Sequence, residues 1–200
     1  MEPAPVSPDE IREFASSVWA AFHEDMADDD AARWERVLEP ERTLALRDGG
    51  RIVAGTGIFS RRLAVPGGHV PAAAVTLVGV RPTHRRRGLM STLMRRQLSD
   101  VHEIGREAVA VLWASEPVIY GRFGYGLAAY SADLRVDSGL ARMRATPDAR
   151  VDLLAPDDAL PAIREIHDAL WPTIPGMIDR AGPWWEAPRS YHEPSVMNGD

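Results

Sequence analysis

The stretch Val78-Gly79-Val80-Arg81-Pro82-Thr83-His84-Arg85-Arg86-Arg87-Gly88-Leu89-Met90 decides how the chain is read. Upstream, Val70 to Val80 is almost unbroken apolar sequence, the pattern of a strand buried on both faces. Downstream, Met90, Leu93, Met94, Gln97 and Val101 fall at helical spacing. A basic, glycine-containing turn lies between them. A strand feeding such a turn into a helix aims backbone N–H groups and the positive end of the helix dipole at one point. A pyrophosphate is the natural occupant. Gly88 permits close backbone approach, and Arg85, Arg86 and Arg87 add charge and bidentate donors. The candidate cofactor-binding residues are therefore Val78, Val80, Arg85, Arg86, Arg87, Gly88, Leu89 and Met90.

Before this stretch, Thr43 to Leu46, the turn Asp48-Gly49-Gly50 and a long arm from Arg51 to Val65 read as a hairpin. Pro66-Gly67-Gly68 turns the chain into the strand ending at Val80, which makes an antiparallel meander. Earlier still, Ile11, Phe14, Val18 and Phe22 form a helical stripe, with Ser7 or Asp9 as cap and Glu10 in the first turn. The run Asp28-Asp29-Asp30 interrupts it, and a second short helix carries Ala32, Trp34, Val37 and Leu38 up to Pro40. After the central helix, Ala108 to Trp113 reads as another buried strand. Strand, helix and strand then form a βαβ unit, so strands 70–80 and 108–113 are expected to be parallel neighbours. A short helix or turn follows over Ser115 to Gly121, and a further strand is expected over Ala128 to Val136. The fold class is α/β (α+β), a mixed sheet with a meander and one βαβ unit.

Residues 138–150 read as a linker, and Val151-Asp152-Leu153-Leu154 opens a new unit whose helix carries Leu160, Ile163, His167 and Leu170. About 50 residues are too few for an independent core. The expected division is thus 1–137, one domain, and 151–200, the start of a second and incomplete one.

Composition narrows the chemistry. The 200 residues contain no cysteine, which excludes disulfides, thiolate metal sites and a cysteine nucleophile. All 23 basic side chains are arginine, so a catalytic lysine or Schiff base is excluded as well. A net charge of −6 argues against a general nucleic-acid binder and favours cationic small-molecule partners. Neither a signal peptide nor a run of roughly 18 apolar residues is found, so a cytoplasmic location is expected and no membrane partner. The histidines show no paired spacing and no acid cluster of metal type, and no metal is expected.

The central turn resembles the acyl-CoA signature of GNAT acetyltransferases, Arg/Gln-x-x-Gly-x-Gly/Ala, with Arg85, Gly88 and Met90 at the signature positions. Met90 departs from the usual small residue. Three blocks in order narrow the resemblance to the Eis-like (enhanced intracellular survival) subfamily over about residues 5–170. They are Pro82 to Leu89, Ala114-Ser115-Glu116, and Ile119-Tyr120-Gly121-Arg122-Phe123-Gly124-Tyr125-Gly126. The resemblance implies a GNAT fold, acetyl-CoA as donor and a small-molecule amine as acceptor, polyamine-like or aminoglycoside-like. It also implies a second GNAT-like domain, a sterol-carrier-like C-terminal domain and a homo-oligomer, often a hexamer.

Roles follow from the same resemblance. The Val80 backbone N–H would act as oxyanion donor and Tyr120 as general acid to the leaving thiolate. Ser115 joins the cofactor set through its block, whereas read from the residues alone Ser115-Glu116 caps the short helix after the strand. Glu24, Trp34, Phe59 and Leu77 fall on the acceptor pocket in the same resemblance, where a carboxylate beside aromatic walls suits a cationic amine. Read from the residues alone, Glu24 is a surface acid near Asp25 and Asp28, and Trp34, Phe59 and Leu77 are core. Tyr125 is read as structural, and His84 either touches phosphate or stabilises the turn. In the subfamily the terminal carboxylate serves as base; Asp200 does not match that terminus, so the base is left open. The competing function is an acyl-CoA-binding module without turnover.

Overall fold

The computed structural model describes residues 1–23, 26, 28–114, 116–130, 132, 135–137, 139, 142 and 152–185. Five strands form one sheet in the order of the chain: β1 (Ala4–Pro5), β2 (Thr43–Asp48), β3 (Arg51–Val65), β4 (Gly68–Val80) and β5 (Val109–Leu112). The first four are antiparallel to their neighbours, while β5 runs parallel to β4. The helices are α1 (Ile11–Ala21), α2 (Asp28–Val37), α3 (Leu89–Ile104) and α4 (Pro156–Leu170).

Strand alternation sorts the core into two layers. Ala45, Ile52, Phe59 and Leu77 pack with Phe14 and Val18 of α1 and Trp34 and Val37 of α2. Leu44, Leu46, Val53 and Ala54 pack with Leu89 and Leu93 of α3, and Ile58, Ala73 and Val75 with Met94 and Val101. The stripe of α1 is buried at Ile11, Phe14 and Val18, as its spacing implies. Phe22 leaves the stripe. It lies just past the last helical residue, where the helical period no longer places it, and is 47% exposed.

The entry to α1 is held by charge. The Glu10 carboxylate accepts from the Ser7 N–H at 2.9 Å and takes two bonds from Arg47 of β2, at 3.0 and 2.7 Å. The Arg47 hydrogen bond, followed by the Ser7 backbone bond, lowers the Glu10 pKa. A carboxylate depressed in the folded state contributes stability above its unfolded pKa and loses it as pH falls through the folded value. Glu10→Gln should therefore lower stability at pH 8, where the carboxylate contributes, and change little at pH 3, which flattens the acid limb. Urea midpoints at pH 3 to 8 would check this.

Two features differ from the sequence pattern. The described residues between 128 and 136 carry no strand, and Tyr130 and Val136 are 90% and 74% exposed. Their alternating sequence has the right period, but no described strand pairs with them. The region after α4 also reaches back to the first sheet. Leu63 and Ile178 form a bridge, the Ala64 N–H donates to the Met177 carbonyl at 2.8 Å, and the Asp179 N–H donates to the Arg62 carbonyl at 3.0 Å. Asp179 itself is buried and accepts from the Arg62 N–H at 2.8 Å and from its guanidinium at 3.1 Å. β2 pairs with β3 only as far as Gly57, so this segment covers β3 edge that β2 leaves bare.

Candidate active site

The site begins with a defect in β4. Gly55 of β3 lies opposite Gly79, but Gly57 lies opposite Thr76, so β4 carries one residue too many between them. Leu77 sits in this bulge with φ 52°, an unusual angle for a leucine. On the other side of β4, pairing to β5 runs from Ala72↔Val109 to Val75↔Leu112 and stops. The bulge and the end of parallel pairing coincide. Beyond them β4 continues to Val80 with no β5 residue registered against it.

Val80 lies opposite Ala54, and the next N–H along, that of Arg81, donates to the Val53 carbonyl at 2.9 Å. Alternation along an antiparallel strand then turns the Val80 N–H away from β3, toward the side on which β5 lies. The chain leaves β4 through a short 3₁₀ turn at Pro82–His84 and enters α3 at Gly88. Arg86 (φ 64°) and Gly88 (φ 79°) are both left-handed, a geometry that curls successive amides around a concavity. The first N–H groups of α3 have no acceptor within the helix, and the first amide past the cap to find one is Thr92, on the Gly88 carbonyl at 3.0 Å. A Cβ at Gly88 would meet nothing within 4 Å. The space beside Gly88 is therefore open, which permits close approach of a ligand to the backbone there.

The arginines of the turn divide their work. Arg85 donates to the Ala21 carbonyl at the end of α1 at 2.5 Å and to the Val80 carbonyl at 3.5 Å, so its head group braces the turn. Arg86 and Arg87 are exposed. His84 bonds Thr83 at 2.8 Å and Asp48 at 3.0 Å, which fixes the turn to the end of β2. Of the two roles open to His84, the structure displays turn stabilisation.

Tyr120 follows the 3₁₀ turn Pro117–Ile119 beyond β5. Its ring is 8% exposed and packs in one cluster with Val75, Met94 and Val101, against which Val78, Met90 and Leu112 also lie. Three separate segments of the expected site, at 78, 90 and 120, thus converge. Burial, and secondarily the Glu116 carboxylate, raise the Tyr120 pKa. Tyr125 stacks edge-on against Tyr120 at 5.9 Å, and its own buried hydroxyl has no partner. Burial first and Tyr120 second push the Tyr125 pKa up to about 12.

Of the residues expected at the acceptor pocket, Trp34, Phe59 and Leu77 are buried in one core cluster. The Trp34 and Phe59 rings are stacked at 6.3 Å with planes 10° apart, and the Trp34 indole N–H is buried without a partner. Trp184 closes edge-on against Phe59 at 6.0 Å, and Trp19 against Trp34 at 5.3 Å. The sequence pattern did not point to Trp184, because nothing local links it to β3. Glu24 and Ser115 lie outside the described residues. Among the described residues no group of three or more His, Asp or Glu could hold a metal ion, and no helix is long and apolar enough to cross a membrane.

Comparison with known proteins agrees with this geometry. The acetyltransferase (GNAT) domain family matches residues 2–128. An uncharacterized N-acetyltransferase of Streptomyces avermitilis is 41% identical over 162 residues, covering 79% of this chain and 39% of its own length. The N-acetyltransferase Eis of Mycobacterium bovis is 33% identical over 181 residues, covering 84% of this chain and 44% of its own. The crystal structure of Eis1 from Mycobacterium abscessus superposes with TM-score 0.74 at 34% identity, over 93% of this chain and 47% of that one. The chain thus spans less than half the length of these relatives. A five-stranded mixed sheet, a helix opening on an arginine–glycine turn and a match over residues 2–128 place the chain in the GNAT acetyltransferase family.

Proposed function

We propose that this chain moves the acetyl group of acetyl-CoA to a primary amine of a small cationic acceptor, polyamine-like or aminoglycoside-like, by direct attack. The observation that carries the proposal is the coincidence of three things at one end of β4. Pairing to β5 ends there, a backbone N–H faces the resulting gap, and the open amides of α3 begin one short turn later.

In this scheme the amides from Gly88 to Met90 hold the diphosphate, aided by Arg86 and Arg87, while Arg85 keeps the turn in shape. Val78 and Val80 line the gap, and the Val80 N–H donates to the thioester oxygen as negative charge builds on it. The neutral amine forms the new N–C bond as the C–S bond breaks. Tyr120 gives its phenolic proton to the departing sulfur and recovers one from solvent. The acceptor nitrogen releases its surplus proton to water. Trp34, Phe59 and Leu77 form the acceptor wall, and Glu24 and Ser115 complete the set of proposed contacts. Residues 1–137 constitute the acyl-donor domain, with 151–200 opening a second unit whose Trp184 reaches the acceptor wall.

The direct test is thiol release from acetyl-CoA in the presence of polyamines, aminoglycosides and simple amines, together with calorimetric titration of CoA. Acceptor-dependent thiol release is expected. Tight CoA binding with no release for any amine would leave the chain a CoA-binding module and defeat the catalytic proposal.

A further inference from the structure

The acceptor wall ends at a side chain that none of the roles above uses. Arg61, two residues after Phe59 on β3, lays its guanidinium 5.3 Å from the Phe59 ring centroid and 5.2 Å from that of Trp184. Those two rings meet edge to face at 6.0 Å and 83°. Cation and rings therefore form a triangle, an aromatic corner with a positive charge seated in it.

The seat fits its occupant poorly. One terminal nitrogen donates to the Ser60 carbonyl at 3.1 Å, but the buried Nε has no acceptor. Burial lowers the Arg61 pKa, against the opposing fields of Asp179 and Glu39. A guanidinium in that position regains hydration on leaving. Arg61 is also the shared wall of two cavities, one of about 260 Å³ beside Glu39 and Trp184, the other of about 530 Å³ beside Arg106 and Asp179. Turning this one side chain outward would join them. It would also leave two aromatic rings within the fields of Glu39 and Asp179, with Arg180, 5.1 Å from the Trp184 ring centroid, as the cation that stays.

We propose that Arg61 is a built-in occupant of a cation seat, and that an acceptor with a second ammonium group binds by displacing it from the Phe59–Trp184 corner. This rests on the amine-acceptor function proposed above. Arg61 is then a specificity-determining residue: each polycationic acceptor competes with it, whereas a short monoamine never reaches the corner. The displaced side chain swings to solvent, and the incoming ammonium takes over both ring contacts.

The test is calorimetric titration of the whole chain with spermine and, separately, with propylamine, both without acetyl-CoA. Wild type, Arg61→Ala and Arg61→Lys are compared, with circular dichroism to confirm folding. Removing the competitor should tighten the spermine Kd about tenfold in the alanine variant, the size of one to two cation–aromatic contacts. The lysine variant keeps the charge but loses the planar stack and should fall between. Propylamine should bind all three alike. Unchanged, weaker or absent spermine binding in the alanine variant would overturn the proposal, and if that variant does not fold, the same result in the lysine variant does so. Thiol release with spermine, run in parallel, separates the two ideas. Tighter binding without acetyl transfer leaves the cation seat standing and removes the catalytic function. Transfer with unchanged binding does the reverse.

Discussion

Tyr120→Phe is expected to lower kcat about a hundredfold or more, the usual range for loss of a positioned general acid. Affinity for CoA should stay within about twofold, because an interaction made only in the transition state leaves ground-state binding alone. The phenylalanine ring keeps the packing on Val75 and Met94 and the edge contact to Tyr125, so the loss isolates the hydroxyl. The direction of the Tyr120 shift matters here. Burial, and then Glu116, raise its pKa, so the phenol stays protonated at pH values where a free tyrosine would begin to ionise. The acid form exists below the pKa. Raising that pKa therefore moves the alkaline fall of kcat upward, and the fall should be absent from the phenylalanine variant. Steady-state thiol release from pH 6 to 10, with calorimetry for CoA, measures both. A kcat within about threefold of wild type would remove Tyr120 from the proton path.

Gly55→Ala is expected to destabilise the chain by about 3 kcal/mol through overpacking. A Cβ on Gly55 would lie 2.2 Å from Cε2 of Phe14 and 3.0 Å from two more atoms of that ring. Phe14 is fully buried, so the ring cannot swing clear. The clash falls between α1 and β3, next to the register shift that produces the β4 bulge, so CoA affinity should drop along with stability. Urea denaturation of the single variant and of the pair with Phe14→Leu gives the check. The second substitution should recover a good part of the loss, since it removes the atoms that collide. Simple additivity of the two losses would mean that α1 does not lie against Gly55 as described.

Much of this architecture is legible in the sequence. Glycine-bearing turns at 48–50 and 66–68 marked the meander, and the period change after Gly88 marked α3. Those signals are local, a matter of backbone freedom and side-chain spacing. The bulge carried no such signal. Leu77 takes a left-handed angle at a register shift against β3, an angle leucine itself does not favour. The same limit hid Trp184 and Arg61, whose meeting depends on chain far away in sequence. Over 128–136 the period of two was present, but a period cannot supply a partner strand. The convergence of Val78, Met90 and Tyr120 was legible through family resemblance, whereas the bracing role of Arg85 on Ala21 was not.

The stitch between Arg62 and Asp179 spans 117 residues of chain. At synthesis rates of 5–20 residues per second, roughly 6–23 s separate the emergence of its two halves from a ribosome. During that interval β3 exposes the backbone groups of Arg62 and Ala64, whose partners come from the later segment, while the Ser60 N–H is already held by Glu39. Loop closure over such a distance also makes the final docking slow in refolding. The newborn chain thus passes through a stage with a sticky margin, and the arrival of Asp179 ends it.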